Sequence, residues 1–202
     1  MKAPRKIFIT GLPRTGTTSI CQAMLDLGFK VAHTAYSAEA RSCAEVIADT
    51  PIFCDFEVLS KQYPEAKFVH LTRDSALWLP SIKQLLNRMF KNVTRTDGGF
   101  NPTLKRCYQS VFSPLTRDNI NSDQFLSSIY QQHYHAVLNC FKEQPNRLLV
   151  IDVAQPESFT QLLSFLAIDS APISGFKQVN IGGKITYWNS IKHINKVDSN
   201  LK

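Results

Sequence analysis

Apolar positions along the 202-residue chain fall into short unbroken runs that alternate with stretches of helical period. Ile7-Phe8-Ile9 predicts a buried strand. A loop rich in Gly and Thr follows, and then Ile20, Met24 and Leu27 recur at helical spacing until Gly28 stops them. Phe29–Ala32 predicts a second strand ending at His33-Thr34, and Ser37–Asp49 a helix with Ala40, Cys43, Ala44 and Ile47 on one face. Pro51-Ile52-Phe53-Cys54 predicts a third strand ending in Asp55, and Phe56–Tyr63 a short helix closed by Pro64. Lys67–Thr72 predicts a fourth strand that runs into Arg73-Asp74. The next helix carries Leu77, Trp78, Ile82, Leu85, Leu86 and Met89, with Asp74 or Ser75 as its cap and Pro80 in its first turns, where proline is best tolerated. Phe125, Ile129, His133, Val137 and Phe141 mark a helix over Ser122–Gln144. Arg147–Asp152 predicts a fifth strand and Pro156–Leu166 a closing helix.

Strands alternating with helices at this spacing predict an α/β fold, a P-loop-type parallel sheet of about five strands with helices on both faces. The chain predicts a single domain over residues 1–202. The stretch at about 91–121 breaks the pattern with Gly98-Gly99, Pro102, Pro114 and five cations, and is expected to be a variable loop or lid with some short helix that binds the acceptor. The tail, 169–202, is poorly defined. Ligands of open parallel sheets bind beyond the carboxyl ends of the strands. Arg14, His33, Asp55 and Arg73 all fall at or just past predicted strand ends, so they are candidates for one site.

The loop Gly11-Leu12-Pro13-Arg14-Thr15-Gly16-Thr17-Thr18 lies between the first strand and its helix, which aims backbone N–H groups and a helix N-terminus at an anion, usually phosphate. Gly11 and Gly16 stand where a P-loop has its glycines, and Thr18 where it has its Ser or Thr. Thr17 occupies the place of the P-loop lysine, and a cation, Arg14, comes three residues earlier. A second anion grip is predicted from Arg73 at a strand end and Ser81 eight residues on, two turns into the following helix. Two separate grips point to a ligand with phosphate at two ends.

The formal net charge of +7 favours anionic ligands, yet the basic residues are scattered and no nucleic-acid-binding motif is present. Five cysteines, Cys21, Cys43, Cys54, Cys107 and Cys140, show no metal spacing, which predicts free thiols, a reducing compartment and a cytoplasmic protein. No apolar run is long enough to span a bilayer. His70 is expected to be a core histidine, and His133 and His135, two apart on a helix, face different ways.

Pro13-Arg14-Thr15-Gly16-Thr17-Thr18 resembles the 5′-phosphosulfate loop of P-loop sulfotransferases, and FVHLTRDSALWLPS (Phe68–Ser81) resembles their 3′-phosphate segment. The likeness covers about Lys6–Ile168 and is nearest to the small bacterial-type members. The resemblance implies transfer of a sulfuryl group from 3′-phosphoadenosine 5′-phosphosulfate to a hydroxyl or amine by in-line displacement, with no metal required. It implies that Gly11, Pro13, Arg14, Thr15, Gly16, Thr17, Thr18 and Ser19 hold the phosphosulfate end, and Arg73 and Ser81 the 3′-phosphate. Arg14 replaces a lysine of many members; it can stabilise the leaving group electrostatically but is a poor proton donor. Family members use a His or an acid as base. Asp55, at the predicted end of the strand before the Arg73 strand, is favoured here, with His33 the alternative and Glu57 behind them. Phe176–Lys184 (FKQVNIGGK), with Asn180 or Lys184, is the candidate for a loop closing the site.

The implied acceptor is a small molecule or glycan, and a homodimer through an exposed helix such as Ser122–Gln144 stays open. Asp152, after Leu-Leu-Val-Ile, resembles a Walker B acid and supports a rival reading, a nucleotide-dependent small-molecule kinase using Mg²⁺. A non-catalytic nucleotide-binding module is the third.

Overall fold

The structure, a computed structural model, describes residues 6–179 and 187–202. Five parallel strands form one sheet in the order β2-β3-β1-β4-β5: β1 (Ile7–Ile9), β2 (Val31–Ala32), β3 (Val46–Ile47), β4 (Lys67–Leu71) and β5 (Leu148–Ile151). The expected α/β fold is therefore present. The helices are α1 (Thr17–Asp26), α2 (Ala38–Cys43), α3 (Ile52–Gln62), α4 (Ser75–Thr94), α5 (Pro102–Val111), α6 (Arg117–Asn121), α7 (Asp123–Cys140), α8 (Ser158–Leu166) and α9 (Tyr187–Ser190).

Strand alternation assigns the helices to their faces. Ile7, Ile9, Val69 and Leu71 pack with Ile20 and Met24 of α1 and with Leu162 and Leu166 of α8. Phe8, Ile47 and Phe68 point the other way, onto Ile52, Phe56 and Leu59 of α3 and Val137 and Phe141 of α7. A third core joins Leu12 and Phe53 to Trp78, Ile82 and Leu86 of α4 and to Cys107 and Tyr108 of α5. That core sits over the loop end of the sheet, because Leu12 belongs to the loop after β1.

Three expectations are corrected. The helix over Ser37–Asp49 ends at Cys43. The Lys6 ammonium gathers the Arg41 and Ser42 carbonyls, at 2.7 and 2.8 Å, and that of Ala44, satisfying groups that a continuing helix would have used. The chain then forms the two-residue strand β3, paired on its two sides with β1 and β2. The strand expected at Pro51–Cys54 is the start of α3 instead. Pro51 stands at its N-cap, and Ile52, Phe53, Phe56 and Leu59 make one buried helical stripe. A short apolar run does not by itself distinguish strand from helix. Asp55 consequently lies in the first turn of a helix rather than at a strand end.

The third correction concerns 91–121, which is largely helical. Asn101 Oδ1 accepts from Thr103 N at 2.9 Å to cap α5, and Cys107 and Tyr108 are buried. In the tail, Val31 N donates to Asn195 O and Val197 N to Val31 O, so the last residues run beside β2. Among the described residues no helix is long and apolar enough to cross a membrane.

Candidate active site

The loop after β1 is held by what touches it. Arg14 and Gly16 have positive φ, 74° and 106°, and alternation of this kind turns successive N–H groups into an anion-binding concavity. A Cβ at Gly11 would come within 2.5 Å of Leu71 Cβ and of Thr15 Oγ1, and one at Gly16 within 2.5 Å of Val153 Cγ2. Both positions therefore require glycine. The N-cap of α1 is Gly16, which has no side chain to cap the helix, and Thr17, Thr18 and Ser19 in its first turn are buried. A buried helix start beside a cation suits a bound anion. Thr15 is internally occupied, its Oγ1 donating to Leu12 O at 2.7 Å.

The second grip meets the first. Arg73 Nη1 donates to Arg14 O at 2.8 Å, and Arg14 Nε donates to Ser81 Oγ at 2.7 Å. Arg73, the loop and the second turn of α4 are thus one hydrogen-bonded unit. Trp78, expected only as a core residue, is fully buried and also donates Nε1–H to Pro13 O at 3.0 Å. Tyr130 of α7 fixes the backbone of Arg73: its hydroxyl accepts from Arg73 N at 2.8 Å and donates to Arg73 O at 3.1 Å. Burial lowers the Arg14 pKa, and the Arg73 and Arg88 guanidiniums lower it further. Three arginines that repel one another form a donor set suited to a multiply charged anion. Arg88 was missed in the sequence, yet it lies seven residues after Ser81, on the same face of α4.

The other wall is made by the ends of β2 and β3. His33, just past β2, places Nε2 3.1 Å from Thr18 Oγ1 and sets its ring, tilted by 36°, with its centroid 5.3 Å from that of Trp188. Burial lowers its pKa, and Asp49 opposes the shift. Asp49 follows β3 with φ 49° and accepts from Thr50 Oγ1 at 3.2 Å. Burial raises its pKa, while His33 holds it down. Asp49 also acts on Tyr36, which is pushed up to about 12 chiefly by burial, and on the buried Tyr108 phenol of α5. Arg14 pulls that phenol the other way. These mutual effects bring Arg14, His33, Tyr36, Asp49 and Tyr108 to the same end of the sheet.

Asp55 is elsewhere engaged. Arg106 Nη1 and Nη2 donate to its Oδ1 and Oδ2 at 2.9 and 2.6 Å. Among the described residues, the His, Cys, Asp and Glu side chains gathered at metal-ligand spacing are Cys54, Asp55 and Cys107. Asp152 accepts from Ala154 N at 2.9 Å, as the cap of the turn after β5. Of the candidate closing segment Phe176–Lys184, residues 180–184, including Asn180 and Lys184, lie outside the described residues; Phe176 packs edge-on against Phe159, and Lys177 pairs with Asp26 at 3.1 Å. A cleft of about 560 Å³, lined by Glu57, Lys61, Cys140 and Arg147 among others, contains none of the loop residues and adjoins the segments that lead into β4 and β5, not those that leave them.

A family model described as a sulfotransferase domain matches residues 6–44 and 38–185. The chain belongs to the sulfotransferase-domain family. The match takes in the loop, Arg73, Ser81, His33 and Asp49. No curated protein matches the chain. Family membership makes sulfuryl transfer the general activity, and the geometry around Arg14 supplies cationic donors of the kind such a reaction needs.

Proposed function

We propose that the protein transfers a sulfuryl group from 3′-phosphoadenosine 5′-phosphosulfate to a hydroxyl or amine of a small-molecule or glycan acceptor, by in-line displacement. The observation that carries this reading is the joining of the two anion grips, Arg73 to Arg14 O and Arg14 to Ser81 Oγ. The donor set fits the nucleotide: clustered arginines and the buried start of α1 would serve its phosphosulfate end, and Arg73 with Ser81 its 3′-phosphate. When bound, this nucleotide supplies the sulfuryl group and leaves as adenosine 3′,5′-bisphosphate.

Arg14 and the N–H groups of Gly16–Thr18 stabilise the negative charge that grows on the leaving bridge oxygen. Arg14 remains charged throughout, so its part is electrostatic. Asp49 accepts the proton of the attacking hydroxyl. It stands at the end of the strand that precedes β4 in sequence, the position for which Asp55 was first favoured, and among the described residues no arginine bonds it as Arg106 bonds Asp55. His33 adjoins Asp49 and steadies Thr18 at the start of α1. Tyr36 and Tyr108 supply aromatic walls for the acceptor.

The test is a turnover assay with the phosphosulfate nucleotide, a panel of phenols, amines and sugars, and chelator in place of metal. Release of the bisphosphate together with a sulfated acceptor is expected. Phosphorylated acceptor from ATP and Mg²⁺ would instead establish the kinase reading that Asp152 supports.

A further inference from the structure

Away from the loop, α3 and α5 are fastened by a cluster that the proposed transfer reaction leaves unused. The ligand atoms of Cys54, Asp55 and Cys107 all lie within 4.8 Å of one another. The Cys107 sulfur thus lies within 4.8 Å of the Cys54 sulfur, and Arg106 Nη1 stands 3.6 Å from Cys54 Sγ while it holds Asp55. Cys54 is half-buried and Cys107 fully buried. The bidentate arginine both neutralises Asp55 and sets a positive charge beside Cys54, which disfavours a dication at this spot and favours a thiolate.

We propose that Cys54 and Cys107 are a peroxide-responsive thiol pair, Cys54 the attacking thiol and Cys107 the resolving one, whose oxidation joins α3 to α5 by a disulfide. The Cys54 thiolate attacks one peroxide oxygen; the O–O bond breaks, and hydroxide leaves and is protonated to water. Cys54 is then a sulfenic acid. The Cys107 sulfur attacks the Cys54 sulfur, the S–O bond breaks, and the departing hydroxide takes the Cys107 proton as a second water. Two thiols are oxidised by two electrons, and hydrogen peroxide is reduced. A dithiol reductant reverses the step.

The protonation states agree with these roles. The neighbouring Cys107 thiol lowers the Cys54 pKa, and Cys54, with burial, raises that of Cys107. The remaining cysteines lack this arrangement: Cys21 is fully buried, with its thiol pushed up by burial, Cys43 is exposed, and Cys140 contacts Ser60 Oγ at 3.4 Å. Cys107 directly precedes Tyr108, whose ring packs edge-on to Phe53 at 5.5 Å. A bond at Cys107 therefore acts on the acceptor wall and not on the nucleotide grips, a consequence that rests on the sulfotransferase reading above.

The experiment treats the reduced full chain with a few equivalents of hydrogen peroxide, quenches, and maps peptides without reductant. A Cys54–Cys107 linked peptide that dithiothreitol dissolves is expected, formed about tenfold faster than oxidation at the exposed Cys43. Cys107→Ser should leave a Cys54 sulfenic acid that dimedone traps, and Cys54→Ser should leave Cys107 unmodified, with unfolding curves checking that both variants are folded. Earlier oxidation of Cys43 or Cys140, or no 54–107 link, overturns the pair. This arm needs no turnover, so it stands apart from the fate of the sulfotransferase reading. With the link formed, acceptor turnover should change several-fold while bisphosphate affinity holds. Unchanged turnover overturns the switch.

Discussion

Asp49 and Asp55 lie six residues apart and meet opposite conditions. Asp49 leaves β3 in a left-handed turn, accepts from Thr50 Oγ1, and is half-buried near His33, Tyr36 and Tyr108. Asp55 opens α3 and is clasped by two bonds from Arg106, in a pair whose side chains are 52% and 27% exposed for Arg106 and Asp55 respectively. Asp55 has both carboxylate oxygens taken by Arg106, whereas burial raises the pKa of Asp49 and so favours its holding a proton. The two-residue strand β3 delivers Asp49, the proposed base, to the carboxyl edge of the sheet.

The comparison is broken most forcefully by removing each acid. Asp49→Asn should lower kcat by about 100- to 10,000-fold, with bisphosphate affinity held within about threefold by the untouched arginines. Asp55→Asn should leave kcat within about threefold, since it meets no proposed reacting atom. Equal losses in steady-state assays of the two variants would end the distinction.

The buried side of α3 offers a second contrast with the solvent-facing Asp55. His133 Nε2 donates to Phe53 O at 2.7 Å, and its ring stacks 5.5 Å from that of His70. Burial, and then His133, lowers the His70 pKa to about 3; burial lowers that of His133 to about 4 against the pull of the Phe53 carbonyl. Below pH 6.5 the unfolded chain takes up protons that the folded chain refuses. Stability is therefore complete above pH 6.5 and declines as the pH falls toward the folded values, by on the order of 1 kcal/mol per pH unit for each histidine. Denaturant titrations at pH 7.5 and 5 measure this, and His133→Gln should flatten the slope.

The Arg106–Asp55 pair, being partly exposed, should matter least. Arg106→Gln is expected to change unfolding free energy by less than about 1 kcal/mol in the same titrations. A larger loss would mean that the pair supports α5 more than its exposure suggests.

The loop and the Arg73–Ser81 offset of the candidate site were legible in the sequence because their determinants are local. Gly11, Arg14 and Gly16 sit in one loop after β1, and Arg73 and Ser81 lie on either side of the start of α4, so spacing alone grouped each set. The bond that joins them, from Arg14 to Ser81, spans 67 residues and was foreseeable only through the sheet. The acceptor side was not legible. The apolar run Ile52-Phe53-Cys54 has a strand-like composition but a helical partner pattern, and β3 is too short to show a period. With the strand placed six residues late, Asp55 stood in the position that Asp49 holds. The segment 91–121 hid its helices behind polar exposed faces, and only Cys107, Tyr108 and Ile120 are buried within α5 and α6.

The central claim is that Arg14, Arg73 and Ser81 together hold a nucleotide phosphorylated at both ends of its ribose. Calorimetric titration with adenosine 3′,5′-bisphosphate in the presence of chelator tests it most directly, with ADP and ATP–Mg²⁺ as comparators. The account predicts metal-free binding of the bisphosphate, weaker binding of ADP, and a loss of about 100-fold in bisphosphate affinity in Arg73→Ala, the scale of one lost charge-assisted grip. Tight binding of ATP–Mg²⁺ with no heat from the bisphosphate, or a bisphosphate affinity that Arg73→Ala leaves unchanged, would contradict it.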